Sequence, residues 1–186
     1  MSPAASEAQG LSELIASRVR DIEDFPKPGV TFKDITPVLD DHVAFTLVID
    51  ALAAAGRDSD GDVLVDKVVG MEARGFILAA PVALSLGVGF VPVRKPGKLP
   101  WKTRAVSYDL EYGSETLEMH VDALEPGDRV LVVDDVLATG GTAKATAELV
   151  EQGGGTVHGL AMMLELSFLR GRAAIGDLPL TVLHVV

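Results

Sequence analysis

The apolar positions of the 186-residue chain change period from segment to segment, and the changes outline its elements. Leu11, Leu14, Ile15, Val19 and Ile22 recur at the spacing of one helical face, so a helix is expected over 11–22. The Pro-rich Phe25-Pro26-Lys27-Pro28-Gly29 ends it and opens an extended stretch, because proline has no N–H to continue a helical ladder. Asp41 is placed to cap a second helix running through Ala55, with Gly56 just past its end. Arg57 to Asp62 is polar and reads as a loop.

Beyond that loop, apolar runs alternate with helical spacing. Val63 to Gly70 is a β-branched run, and Val88 to Val93, Val130 to Val133 and Val157 to Leu164 are further short, mainly apolar strand candidates. Ala73 to Leu86 and Thr142 to Gln152 carry helical periodicity between them. Strands of this type alternating with helices predict an α/β domain, a central and mainly parallel sheet covered by helices, over residues 1–186. Ligands in such folds sit at the carboxyl ends of the strands. One segment breaks the alternation: Thr103 to Val121 suggests a hairpin with Tyr112-Gly113-Ser114 near its tip. It follows the basic, Gly- and Pro-bearing loop Arg94 to Lys102, and it reads either as a lid over a site or as an ordinary surface excursion.

Composition narrows the function classes. The net charge is −11 and the pI about 4.7, so the surface repels nucleic-acid backbones and no nucleic-acid partner is expected. A small phosphorylated ligand stays compatible, because a few backbone amides and local cations can hold one inside an acidic protein. Cysteine is absent, which removes disulfides, thiolate metal sites and thiol nucleophiles. His42, His120, His158 and His184 lie far apart without metal-ligand spacing. No run approaches the ~18 apolar residues of a membrane span, and Met1 to Gly10 has no signal-peptide pattern. A cytoplasmic chain with no membrane partner is the expectation.

The segment with the most chemistry is Val130-Leu131-Val132-Val133-Asp134-Asp135-Val136-Leu137-Ala138-Thr139-Gly140-Gly141-Thr142. A buried strand delivers two carboxylates to its end, and a small glycine-bearing turn then opens a helix. Backbone N–H groups at such a start converge on an anion, and Thr139 and Thr142 can add hydroxyl donors. The carboxylates cannot hold the phosphate, but they can accept hydrogen bonds from sugar hydroxyls beside it. A capped helix with two acids near its positive end is the simpler alternative. Neither a Walker loop nor G-x-G-x-x-G is present in the segment.

This segment resembles the phosphoribosyl diphosphate (PRPP) binding motif of the type I phosphoribosyltransferases. The resemblance implies that Asp134 and Asp135 hold the ribose hydroxyls and that Ala138, Thr139, Gly140, Gly141 and Thr142 hold the 5-phosphate. Four further segments resemble the adenine branch of that family. In Phe25 to Pro37, the resemblance implies a hood that binds adenine through Val30, Thr31, Phe32 and Lys33, with Phe32 stacked on one face of the purine and Val136 on the other. In Gly70-Met71-Glu72-Ala73-Arg74-Gly75-Phe76 it implies a pyrophosphate site of Glu72, Ala73 and Arg74, across an unusual Glu72–Ala73 peptide bond. Arg94, Lys95 and Lys98 of the basic loop would join that site. On the hairpin, Glu111 would be the acid/base residue, with Arg74 also catalytic, and Tyr112 part of a flexible lid. Mg²⁺ would arrive bound to PRPP, with no metal ligands on the protein itself, and the chain would form a homodimer. Together these imply transfer of 5-phosphoribosyl to N9 of adenine; a 6-oxopurine acceptor is the competing possibility.

Overall fold

The computed structural model describes residues 3–110 and 113–186, and the side chains of 5–108 and 114–186. Two compact units result, one running to Ile49 and the other from Asp50 to Val186.

The first unit begins with α1 (Pro3–Arg18), followed by β1 (Arg20–Ile22), β2 (Phe32–Asp34), α2 (Thr36–Asp40) and the first turns of α3 (His42–Ala54). The helix expected over 11–22 therefore starts earlier and stops sooner. Residues 3–10, though polar, are mostly good helix formers, and they extend the helix upstream. Val19 closes its last turn by donating to the Ile15 carbonyl at 2.9 Å. Residues 20–22 then pair antiparallel with 32–34. Two of the three opposed pairs are ion pairs, Arg20 with Asp34 at 3.1 Å and Lys33 with Asp21 at 2.7 Å, and cross-strand charge of this kind favours the strand over another helical turn. Asp41 caps α3 as expected, its Oδ1 accepting from the amides of Val43 at 3.0 Å and Ala44 at 3.1 Å.

The second unit is built on a five-stranded sheet. Its strands are β3 (Lys67–Met71), β4 (Gly89–Val93), β7 (Arg129–Leu137), β8 (Thr156–Glu165) and β9 (Leu180–Val185). Every adjacent pair is parallel, in the order β4-β3-β7-β8-β9. From β3 the chain crosses through α4 (Arg74–Leu86) to β4 on one side; from β7 it crosses through α5 (Gly141–Gln152) to β8 on the other. Crossovers leaving in opposite directions put the helices on opposite faces and open a crevice between the carboxyl ends of β3 and β7. α4 packs on β3, β7 and β4 through Leu78, Ala79, Val82, Ala83 and Leu86. The other face carries a buried cluster that includes Val69, Met71, Val93, Val130, Val132, Leu149, Leu160 and Met162. A hairpin of β5 (Thr103–Leu110) and β6 (Gly113–His120) joins this cluster through Val106, Leu117 and Met119.

The strand expected over 63–70 begins only at Lys67. Asp66 instead turns its carboxylate to Arg129, accepting from the backbone amide at 2.9 Å and from Nε and Nη2 at 3.0 Å each. The arginine holds that carboxyl down to about 2. The third expected strand, 130–133, is longer than its apolar run and reaches Leu137. β8 continues to pair with it through Leu137↔Glu165, whereas β3 pairs only as far as Val133.

Leu131 lies at the centre of this sheet with no exposed surface. Leu131→Ala should lower unfolding free energy by about 2–5 kcal/mol without changing the fold, as read by urea titration followed by circular dichroism.

Candidate active site

Because β3 stops pairing at Val133, the next residues of β7 border the crevice on the β3 side while β8 still pairs with them on the other. These residues are Asp134 and Asp135. They border a pocket of about 380 Å³, walled on one side by residues 71–74 and on the other by the chain from Val136 to Ala143. The size suits a small phosphorylated ligand.

The two acids are held differently. Asp134 keeps one face on the pocket and accepts a hydrogen bond from the Asp135 amide at 2.9 Å. The first turn of α4 comes so near that a Cβ on Gly75 would lie 2.5 Å from Asp134 Oδ1. Enclosure pushes the Asp134 carboxyl well above the usual carboxylate range, and repulsion from Asp135 adds to it. Asp135 is 3% exposed, and burial raises its carboxyl too. The Arg74 guanidinium opposes that rise from 2.9 Å, although its N–H is not aligned on Oδ2 as a hydrogen-bond donor.

The turn after the acids is shaped by glycine. Gly140 caps α5 at φ 84°, a conformation that suits glycine, and no side chain caps the helix. The first amides of α5 are thus left with the pocket in front of them, the arrangement that binds an oxyanion. The turn leans on α6 (Gly171–Ile175): a Cβ on Gly171 would lie 2.3 Å from the Ala138 carbonyl oxygen, and one on Gly140 would lie 2.5 Å from the Gly171 carbonyl oxygen. A bidentate ion pair holds α6 in place, with Arg172 donating to both oxygens of the buried Glu165 at 2.8 and 2.7 Å. Residues 166–179 carry no motif, so this support is visible only in three dimensions.

The opposite wall contains the Glu72–Ala73 peptide, which is cis. Glu72 gathers the basic loop with its carboxylate. Its Oε2 accepts from Arg94 Nε and from the Lys95 amide, each at 3.0 Å, while Lys98 Nζ bonds its Oε1. Although burial works against ionisation, these donors together hold the Glu72 carboxyl below its ordinary value. Lys95 Nζ pairs with Glu115 at 3.0 Å. Arg94, Lys95 and Lys98 are therefore each matched to a carboxylate.

Of the expected site residues, the pocket unites Glu72, Ala73, Arg74, Asp134, Asp135, Val136, Ala138, Thr139, Gly140 and Thr142. Gly141 follows as the first residue of α5. Arg94, Lys95 and Lys98 are tied to that wall through Glu72. Val30, Thr31, Phe32 and Lys33 belong to the first unit. There Phe32 meets Phe25 edge-on at 5.2 Å, Val30 and Thr31 are exposed, and Lys33 Nζ is engaged by both oxygens of Asp21 at 2.7 and 2.8 Å. Glu111 and Tyr112 lie outside the described residues.

Residues 38–167 match the model of the phosphoribosyl transferase domain. The chain is 66% identical to the adenine phosphoribosyltransferase of Nocardioides sp. over 97% of both chains, and 57% identical to that of Streptomyces coelicolor over 97% of this chain and all of the relative. Among solved structures, the adenine phosphoribosyltransferase of Thermoanaerobacter pseudethanolicus is 50% identical at a TM-score of 0.88, covering 94% of this chain and 99% of its own. That of Saccharomyces cerevisiae, solved with adenine and an imino-altritol bisphosphate, is 38% identical at a TM-score of 0.87, covering 96% and 99%.

The raised Asp134 carboxyl makes a prediction with a definite sign. Its folded-state pKa exceeds the unfolded value near 3.8, so its contribution to stability is largest at low pH and falls as pH climbs through the folded value. Asp134→Asn, which cannot ionise, should melt above the wild type at pH 7, with the gap closing as pH drops toward 4. Equal melting points at pH 7 would contradict this.

Proposed function

The chain belongs to the adenine phosphoribosyltransferase family, and we propose that it transfers the 5-phosphoribosyl group of PRPP to N9 of adenine, giving AMP and pyrophosphate. The observation that carries this reading is the pair of enclosed acids beside the uncapped start of α5, at the crevice between β3 and β7. A ribose 5-phosphate asks for those two features together: acceptors for its hydroxyls and donors for its phosphate.

Bond breaking at the anomeric carbon builds positive charge on the sugar ring and negative charge on the departing diphosphate, so electrostatic stabilisation dominates. Asp134 and Asp135 accept from the ribose hydroxyls. Those donors favour the ionised acids that burial disfavours, and the resulting negative charge suits a cationic ring. Ala138 to Thr142 clasp the 5-phosphate. Arg74 exchanges its Asp135 partner for diphosphate oxygens, and Glu72 acts through the cations it positions, Arg94, Lys95 and Lys98. Val136 and Phe32 supply apolar faces for adenine, with Val30, Thr31 and Lys33 at its edge, and Glu111 handles the purine proton, with Tyr112 in the lid. Mg²⁺ accompanies PRPP and neutralises its charge. As a small cation that dehydrates reluctantly, it is carried by the donor's own oxygens and keeps several of its waters. The first unit serves as the base-binding hood of a single phosphoribosyltransferase domain. The working form is a cytoplasmic homodimer, and the exposed Ile77 and Leu84, one heptad apart on α4, offer apolar surface for a second copy. Among the described residues, no helix is long and apolar enough to cross a membrane.

Pyrophosphate release should be seen with adenine, PRPP and Mg²⁺, and should be much slower with hypoxanthine at equal concentration. Asp135→Ala should lower kcat/KM by about 10²-fold or more, the scale expected when a group stabilising transition-state charge is lost. A preference for the 6-oxopurine would remove the adenine assignment.

A further inference from the structure

Tyr108 of β5 reaches the start of α5 directly. Its ring occupies the space where a Cβ on Gly141 would lie, 2.9 Å from Cδ2 and 3.0 Å from Cε2. Its hydroxyl makes two hydrogen bonds, one to Glu115 Oε2 at 2.9 Å and one to Thr142 Oγ1 at 3.1 Å.

Counting protons fixes the direction of both. A phenol has one proton, and an ionised carboxylate can only accept. Lys95 and the phenol itself hold the Glu115 carboxyl below its ordinary value, which keeps it ionised. Tyr108 therefore gives its proton to Glu115, and the bond to Thr142 is made by the threonine's proton. Thr142 lines the pocket, and in this arrangement it turns lone pairs toward it. A phosphate oxygen needs the opposite polarity.

We propose that Tyr108 competes with the 5-phosphate for the single hydroxyl proton of Thr142, so that filling the phosphate site breaks the hydrogen bond between Tyr108 of β5 and Thr142 of α5. The inference rests on the reading of Thr142 as a phosphate ligand. It makes Tyr108 a positioning residue that links phosphate occupancy to β5.

The test is a double-mutant cycle read by titration calorimetry with ribose 5-phosphate, and with adenosine as a ligand lacking phosphate. Tyr108→Phe keeps the ring over Gly141 and removes the competitor. It should tighten ribose 5-phosphate about fivefold, the scale of one neutral hydrogen bond, and leave adenosine unchanged. Thr142→Ala should weaken ribose 5-phosphate, and adding Tyr108→Phe to it should change nothing further. A merely structural role for Tyr108 would move thermal stability without this pattern. If Thr142→Ala weakens binding but Tyr108→Phe leaves it unchanged, or tightens it equally in both backgrounds, the competition is refuted while the phosphate site stands. If Thr142→Ala has no effect, the assignment of Thr142 fails and this inference falls with it.

Discussion

Two carboxylates occupy neighbouring positions of one buried strand, at the point where the strand beside it has ended. Holding both there is costly, because enclosure disfavours charge and each acid repels the other. The surroundings offset that cost only in part. Asp135 has a guanidinium nearby, and Asp134 has one backbone amide and the closely packed first turn of α4. The site is thus left short of donors where a sugar diol can supply them. In the proposed function, that electrostatic tension becomes affinity for the sugar.

The opposite wall solves the converse problem. Three cations in one loop would repel each other, and in a protein of net charge −11 they could settle on many surface acids. Glu72 assigns them a place: one carboxylate fixes Arg94, Lys98 and the backbone at Lys95, while Glu115 takes the Lys95 side chain. A carboxylate inside a wall proposed to bind diphosphate looks contradictory from its charge alone. Its partners resolve this, since an organised set of cations is pre-oriented for an anion in a way that solvated lysines are not.

Much of this was legible in the chain. The β-branched runs marked the strands because a parallel strand is apolar on both faces, and the Asp-Asp-…-Thr-Gly-Gly-Thr segment pointed to the pocket. The boundaries that failed did so for definable reasons. β7 seemed to end at Val133 because acids rarely continue a buried strand; it continues because β8 still pairs with it. Residues 20–22 kept helical periodicity and became a strand through ion pairs with a segment a dozen residues away. Glu72 carried a site position but not its partners, and Tyr108 and Glu115 lay in the expected hairpin, whose spacing gives no hint of Thr142. Gly171 had no signal at all, since what matters there is an approach between backbones more than thirty residues apart.

That last contact has an evolutionary consequence. With the Ala138 carbonyl where it is, nothing larger than hydrogen fits on Cα of residue 171. The anion-binding turn and a helix of five residues near the chain's far end are two halves of one mould. Neither can drift alone: a homologue that gains a side chain at one must reshape the other, so the two segments should vary as a matched pair even though only one of them lines the pocket.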